Sequence, residues 1–501
     1  MKRKIPSTMA TQHPDHANSP YWQKNPFIST QDESEECFLN FSDLNIEEYK
    51  WDWEGKLVDE SIMERLFSKY YDYFKKNQLG KDKFLTFRLP NPKAETEFRL
   101  ARAFLSLLSS SALAKKVKLH TPPLFEVILP MTESAKELIA IQEAFKEISE
   151  LKHALHKFDN AVFNLEIIPL FEQVQTIINS HEIIKEYIDL YKKQFNLTPK
   201  YFRPYVARSD PALNSGIVPT VLAIKIAFSR YKKLSKDLKI PFYPIIGCAC
   251  LPFRGGLTPE TVKQFADEYQ GVKTTTIQSA FRYDYKKDLV KKGIKTLHNL
   301  LPKGKLITIP KNEEKILLEL IPYFEEKYKI TVETIAPTIN EIAKFLPKRR
   351  ERVQHIGLFG YSRGHGKVSL PRAIGFTSAL YSIGVPPELM GTGSGIIKTI
   401  ELKQIKLLEK HYKYLRQDLY RAGRFLNKKN LDELIKIYPS IKSFKKKIEM
   451  LEDYFGEKFE PKTKEEKAHL VLTEKIFIDF KKGKNLTENI IKAAILRKSL
   501  G

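Results

Sequence analysis

Two kinds of periodic pattern alternate along the chain. Short runs rich in β-branched and aromatic residues recur as YKWDW (49–53), FLTFRL (84–89), FEVILP (125–130), FNLEIIPLF (163–171), YFRPYV (201–206), PFYPIIG (241–247), VKTTTIQ (272–278) and HIGLFG (355–360). Between most of them the apolar residues fall at helical spacing. In 60–78, Ile62, Met63, Leu66, Phe67, Tyr70 and Phe74 share one face. Similar stretches occupy about 94–110, 133–150, 173–194, 217–234, 258–269 and 312–346. Eight strands in βα alternation predict the α/β class and a single (β/α)8 TIM-type barrel. The expected organisation is an N-terminal arm (1–47), the catalytic barrel (48–395) and a helical extension packed on it (396–501).

A Rossmann sheet is the structural alternative, but no G-x-G-x-x-G follows a strand. GTGSG at 391–395 has the wrong spacing. GYSRGHGK at 360–367 has five residues between Gly360 and Gly366 where a phosphate loop needs four, and Val368 stands where Ser or Thr is required.

Of the 501 residues, 42% are hydrophobic, enough for a sizeable core. No run of about 18 apolar residues suggests a membrane span. The basic start MKRKIPSTMATQHPD has no apolar segment behind it, unlike a secretory signal. Cys37, Cys248 and Cys250 make no disulfide framework, and the C-x-C pair reads as a buried strand feature. A soluble cytoplasmic protein is expected. The net charge of +24 raises nucleic-acid binding as a possibility. Its lysines, however, are spread along helix faces and mixed with acids, apart from KRRER (348–352) and FKKKIEM (444–450), and no zinc-finger, RRM or basic-region pattern is present. A small polyanionic substrate suits the same charge through steering. We expect neither a nucleic-acid nor a membrane partner.

Barrel enzymes place their chemistry at the C-terminal ends of the strands. Here those ends carry Arg88, Glu172, Arg208, Asp210, Arg254, Gln278, Arg282 and Arg363, with Arg372 nine residues after Arg363. Glu172 and Asp210 close consecutive strands. Two carboxylates there suit a hard cation such as Mg²⁺, with waters and a substrate phosphate completing its shell. The alternative for Asp210 before Pro211 is a helix N-cap. Arg88, Arg254, Arg282, Arg363 and Arg372 would converge on one mouth, where their planar forks fit phosphate and carboxylate. Gly255 and Gly256 would let the loop after Arg254 bend over a ligand. His365, between glycines beside Arg363, is a further contact candidate, whereas His153 and His156 read as surface residues. TMATQHPDHA (8–17) on its own reads as a solvated tail.

Taken in order, these segments resemble phosphoenolpyruvate carboxylases of the short, archaeal type. The likeness runs nearly end to end through TQHPD (11–15), WDWEGK (51–56), FLTFRLPNP (84–92), EVILPMTES (126–134), PLFE (169–172), RSDPALNSG (208–216), FRGG (253–256), IQSAFRYDY (277–285), GYSRG (360–364) and LPRAIGF (370–376). The resemblance implies that phosphoenolpyruvate and bicarbonate give oxaloacetate and phosphate with Mg²⁺ or Mn²⁺, in a homotetramer often inhibited by aspartate or malate. It implies that Glu172 and Asp210 are metal ligands, that Arg88, Arg254, Arg363 and Arg372 bind phosphate and carboxylate, and that His13 is catalytic. Gln278 and Arg282 are added as substrate-binding candidates from their strand-end position. The chain departs from the longer bacterial and plant form in three places. Pro211, Ala212 and Leu213 follow the metal aspartate where that form has a lysine; its long glycine loop is reduced to FRGG; and LRKSLG replaces a tail whose asparagine binds effectors. Aspartate inhibition is therefore not carried over. The competing expectation is another metal-dependent phosphoenolpyruvate or oxoacid barrel, a lyase or aldolase.

Overall fold

Alternation within one strand shows how the architecture arises. In Glu48–Asp52, Tyr49 and Trp51 join the large core under the helices, while Glu48, Lys50 and Asp52 take the opposite face. The structure is a computed structural model that describes residues 3–95, 98–150, 164–351 and 368–501. Its strands are β1 (Thr8–Ala10), β2 (Glu48–Asp52), β3 (Phe84–Arg88), β4 (Glu126–Leu129), β5 (Glu166–Phe171), β6 (Tyr205–Ala207), β7 (Ile245–Gly247) and β8 (Thr274–Ile277). They form one closed barrel in sequence order, with every neighbouring pair parallel. The fold is thus the expected (β/α)8 barrel with helical extensions.

The first stave corrects the expected layout. The segment 1–47 is more than an arm, because it supplies β1, whose Met9 pairs with Glu48 of β2 and Thr276 of β8. Without β1, those two strands would present open edges. The eighth run expected from the sequence, 355–360, lies outside the described residues. β6 and β7 are shorter than their apolar runs because Pro204 and Pro244 cannot donate to the ladder. Both prolines still accept, from the amides of Ile245 and Lys273.

Inside the barrel, Met9, Ile128, Ile168, Leu170, Tyr205, Ala207 and Ile245 form a cluster separate from the outer core. Below it, Arg203 pairs with Glu48 and Glu126, both at 2.7 Å, and Arg3 also reaches Glu126 at 2.6 Å. Buried charges are tolerated only when each is met by a partner, as here. This ionic layer fills the N-terminal end and leaves the chemistry to the C-terminal mouth.

Helices follow the strands close to their expected positions, including Ile62–Lys76, Ala135–Ser149, Val174–Phe195 and Ile217–Leu238. The C-terminal helices reach back to the mouth. Arg421 donates to the Gly256 carbonyl at 3.0 Å, and the Leu500 amide donates to the Asp15 carbonyl at 2.7 Å. No helix among the described residues is long and apolar enough to cross a membrane.

Candidate active site

Where β1 ends, the chain turns across the barrel mouth instead of fraying. Arg282 donates to the Thr11 carbonyl at 2.6 Å, and Ser279 Oγ to the His13 carbonyl at 2.5 Å. The Asp52 amide donates to Gln12 Oε1 at 2.8 Å. These bonds fix the backbone from β8 on one side and β2 on the other. His13 Nδ1 shares a hydrogen bond of 2.8 Å with Thr11 Oγ1. Burial, then the charge of Lys50, holds the imidazole well below its usual value; Asp52 opposes this, and Arg88 and Arg254 add to it. His13 is therefore neutral near pH 7, within electrostatic reach of both arginines.

Arg88 ends β3 opposite Asp52 of β2, as the strand register requires. Its Nε lies 2.9 Å from Asp52 Oδ1 and its Nη1 2.8 Å from Glu54 Oε2. The charge of Glu172 also bears on it. Arg254 closes a short 3₁₀ turn, Pro252–Arg254. It donates to Gln278 Oε1 at 2.7 Å and Ser209 Oγ at 3.1 Å, to Asp15 Oδ2 at 3.4 Å, and to the Gly501 carbonyl oxygen. Gln278 therefore orients Arg254. Arg372 lies at the rim, 42% exposed on its side chain and 4.0 Å from Glu54. Arg363 and His365 lie outside the described residues, as do His153 and His156.

Arg282 is a correction. Asn40, Thr11, Ser279 and Glu36 take its donors, so it braces the turn behind His13 and does not open into the mouth. The arginines are also not naked charges awaiting a polyanion. Asp52 and Glu54 meet Arg88, and Asp15 meets Arg254. Counting arginines at strand ends overlooked these carboxylates. His16 is neither a tail residue nor part of the mouth. It is buried, with Nε2 2.8 Å from the Pro26 carbonyl and its ring edge-on to Tyr283. Cys248 and Cys250 are free and buried, as expected, but they lie just past the end of β7 and not within a strand.

The two metal candidates stand at neighbouring strand ends. β5 pairs Phe171 with Val206 of β6, and Glu172 follows directly. Glu172 Oε2 accepts the Met131 amide at 2.8 Å, which fixes the carboxylate. Asp210 lies in the first turn of Ser209–Ser215, whose N-cap is Arg208, so the capping alternative fails. Its charge is felt by Arg254. Among the described residues no group of three or more His, Cys, Asp or Glu side chains forms a metal cage. Two carboxylates are nonetheless a fitting donor set for a hard cation that keeps waters and binds substrate oxygens.

Sequence reasoning missed Asp15, Lys50, Asp52 and Glu54. For the last three the signal was EYKWDWE (48–54), where polar residues hold one face and aromatics the other. In a barrel strand, that polar face is the lumen.

A family model described as phosphoenolpyruvate carboxylase matches residues 5–501. The phosphoenolpyruvate carboxylase of Leuconostoc mesenteroides is 39% identical over 504 residues, covering 100% of this chain and 99% of that protein. That of Oenococcus oeni is 37% identical with the same coverage, and that of Metallosphaera sedula 38% identical over 100% of both chains. With a strand-end histidine, buried arginines and paired carboxylates in one barrel mouth, and matches spanning its whole length, this chain belongs to the phosphoenolpyruvate carboxylase family.

Proposed function

We propose that this mouth turns phosphoenolpyruvate and bicarbonate into oxaloacetate and phosphate with His13 as the base. The observation that carries this reading is a half-buried, neutral imidazole within electrostatic reach of Arg88 and Arg254. A metal-dependent aldolase or lyase would need the carboxylates and arginines but no histidine at the end of β1.

Membership of the family implies dependence on a divalent metal. Glu172 and Asp210 would hold Mg²⁺ or Mn²⁺, which when bound supplies Lewis-acid charge for a developing enolate oxygen. Charge balance supports this. Among the described residues, Asp15, Asp52, Glu54, Glu172 and Asp210 offset Lys50, Arg88, Arg254 and Arg372, so these groups alone give a polyanion little net attraction.

Arg88 and Arg254 bind the phosphoryl and carboxylate oxygens, with Arg363 and Arg372 assigned the same role from the family motifs. Positioning carries most of the phosphoryl transfer. A bicarbonate oxygen attacks phosphorus, and the bond from phosphorus to the enol oxygen breaks, giving carboxyphosphate and the pyruvate enolate. With Nδ1–H donating to Thr11, His13 Nε2 is free to take the carboxyl proton. The C–O bond to phosphate then breaks, its electrons stay on phosphate, and CO₂ is released beside the enolate carbon. The lowered basicity of His13 belongs to the substrate-free site. A bound dianion raises it toward the range that suits a general base. Asp52, Arg88 and Arg254 are buried around this centre, which limits the water that could protonate the enolate.

The test is His13→Asn. Bicarbonate-dependent phosphate release should persist while pyruvate replaces oxaloacetate, read with lactate and malate dehydrogenases. Wild-type oxaloacetate formation by this variant would remove His13 from the base role. A homotetramer and a cytoplasmic location are proposed on the family likeness.

A further inference from the structure

Among the described residues, Lys50 is a cation of the mouth that is not an arginine. Lys50 stands on the lumen face of β2, 1% exposed, one alternation below Asp52. A lysine deep in a barrel costs solvation unless its ammonium is well partnered. Lys50 is poorly partnered: its one polar contact among the described residues is Asp52 Oδ1, at 3.3 Å. Arg88 binds that same oxygen more closely, at 2.9 Å. Two of the three ammonium donors are therefore left for something else.

The surroundings indicate what that is. β1 pairs Ala10 with Tyr49, so the register sets Thr11 beside Lys50, and Thr11 carries the hydrogen bond to His13. Apart from burial, Lys50 is the strongest influence on the His13 proton. On the other flank Lys50 pairs with Thr86, one row below Arg88. The helix after Asp210 brings no cation to this side, since Pro211, Ala212 and Leu213 are apolar and buried. Arg254 is held by Gln278, Ser209 and Asp15. A small, compact point charge with unused donors, next to the base and beneath an arginine, suits a small planar oxyanion better than a phosphoryl group.

We propose that Lys50 is a catalytic residue whose ammonium binds bicarbonate and holds its carboxyl against His13. This rests on the carboxylase reading above. Lys50 donates to one carboxyl oxygen while another attacks phosphorus, and it keeps that contact in carboxyphosphate. When His13 Nε2 takes the proton and the C–O bond to phosphate breaks, with its electrons going to phosphate, neutral CO₂ leaves the still-charged ammonium and the enolate carbon attacks it, forming the C–C bond of oxaloacetate. Burial, then Arg88, pushes the Lys50 ammonium down to about 8, so it remains charged at neutral pH.

Lys50→Met and Lys50→Gln separate this role from a structural one. Each should raise KM for bicarbonate by about tenfold or more, with KM for phosphoenolpyruvate within about twofold of wild type. Lys50→Arg keeps the charge and should recover part of the bicarbonate affinity. Gln keeps a donor toward Asp52, so it serves if Met disturbs folding, which circular dichroism checks. A fall in kcat with both KM values unchanged, an equal rise in both, or unfolding of both uncharged variants would make Lys50 structural and overturn the proposal. Wild-type protein that makes no oxaloacetate would instead overturn the carboxylase reading itself.

Discussion

His13 and His16 stand three residues apart, both without charge in the folded chain, and the surrounding residues give them opposite uses. His13 faces cations and a lumen lysine; His16 faces the Pro26 carbonyl and Tyr283. Burial, then Arg350, pushes His16 down to about 3. An unfolded histidine titrates near 6.5. Between about pH 6.5 and 3 the unfolded chain therefore binds the proton that the folded chain refuses. Stability is full above 6.5 and falls as pH drops, by about 1.4 kcal/mol per unit from this residue. His16→Gln can still donate to Pro26 but cannot titrate. Urea unfolding at pH 5.5 and 4.5 should show a drop shallower by about that amount in the variant; equal slopes would mean that His16 is accessible to protons. The sequence placed His16 in a solvated tail because a ten-residue polar segment carries no sign of what packs over it. That packing comes from Tyr283 and the 349–350 strap, more than 260 residues away in the chain.

At the level of elements, the barrel was legible wherever a strand was long enough to alternate. β2, β3 and β5 show it plainly, while Thr8–Ala10 is too short to carry a period, which is why the first stave was read as an arm. The site was legible in part for a related reason. Strand-end arginines and carboxylates can be counted from sequence, but which side chains meet each other depends on register and loops. The Arg254 loop illustrates this. Gly255 sits at φ +121°, and a Cβ there would lie 2.7 Å from Cys248 Cβ and Sγ. The backbone must fold tightly onto the end of β7 for Arg254 to meet Gln278 and Asp15. Gly255→Ala imposes backbone strain of about 1–3 kcal/mol together with that clash. The loop should relieve both by shifting Arg254. We expect kcat/KM for phosphoenolpyruvate to fall by about a hundredfold, with a midpoint of thermal unfolding only a few degrees lower. Wild-type kcat/KM would show that the loop tolerates a side chain and that Arg254 placement does not depend on it.

For the whole molecule, the puzzle is a net charge of +24 around a mouth whose charges, among the described residues, nearly cancel. Arg88 and Arg254 are neutralised within the site by Asp52, Glu54 and Asp15, so they act at contact range. The long-range field arises instead from the lysines on outer helices and the C-terminal extension. A field of exposed charges is screened over about 8 Å at physiological salt, whereas buried pairs are hardly screened. The two contributions can therefore be told apart by ionic strength. If the surface draws substrate in, kcat/KM for phosphoenolpyruvate should fall about fivefold or more as an inert salt rises from roughly 20 to 300 mM, while kcat changes little. Bicarbonate carries less charge, so its kcat/KM should fall by a smaller factor over the same range. Potassium acetate and potassium chloride should agree, which separates screening from occupation of the mouth by chloride. A flat response for phosphoenolpyruvate would mean that the mouth alone recruits substrate and that the surface charge serves another purpose.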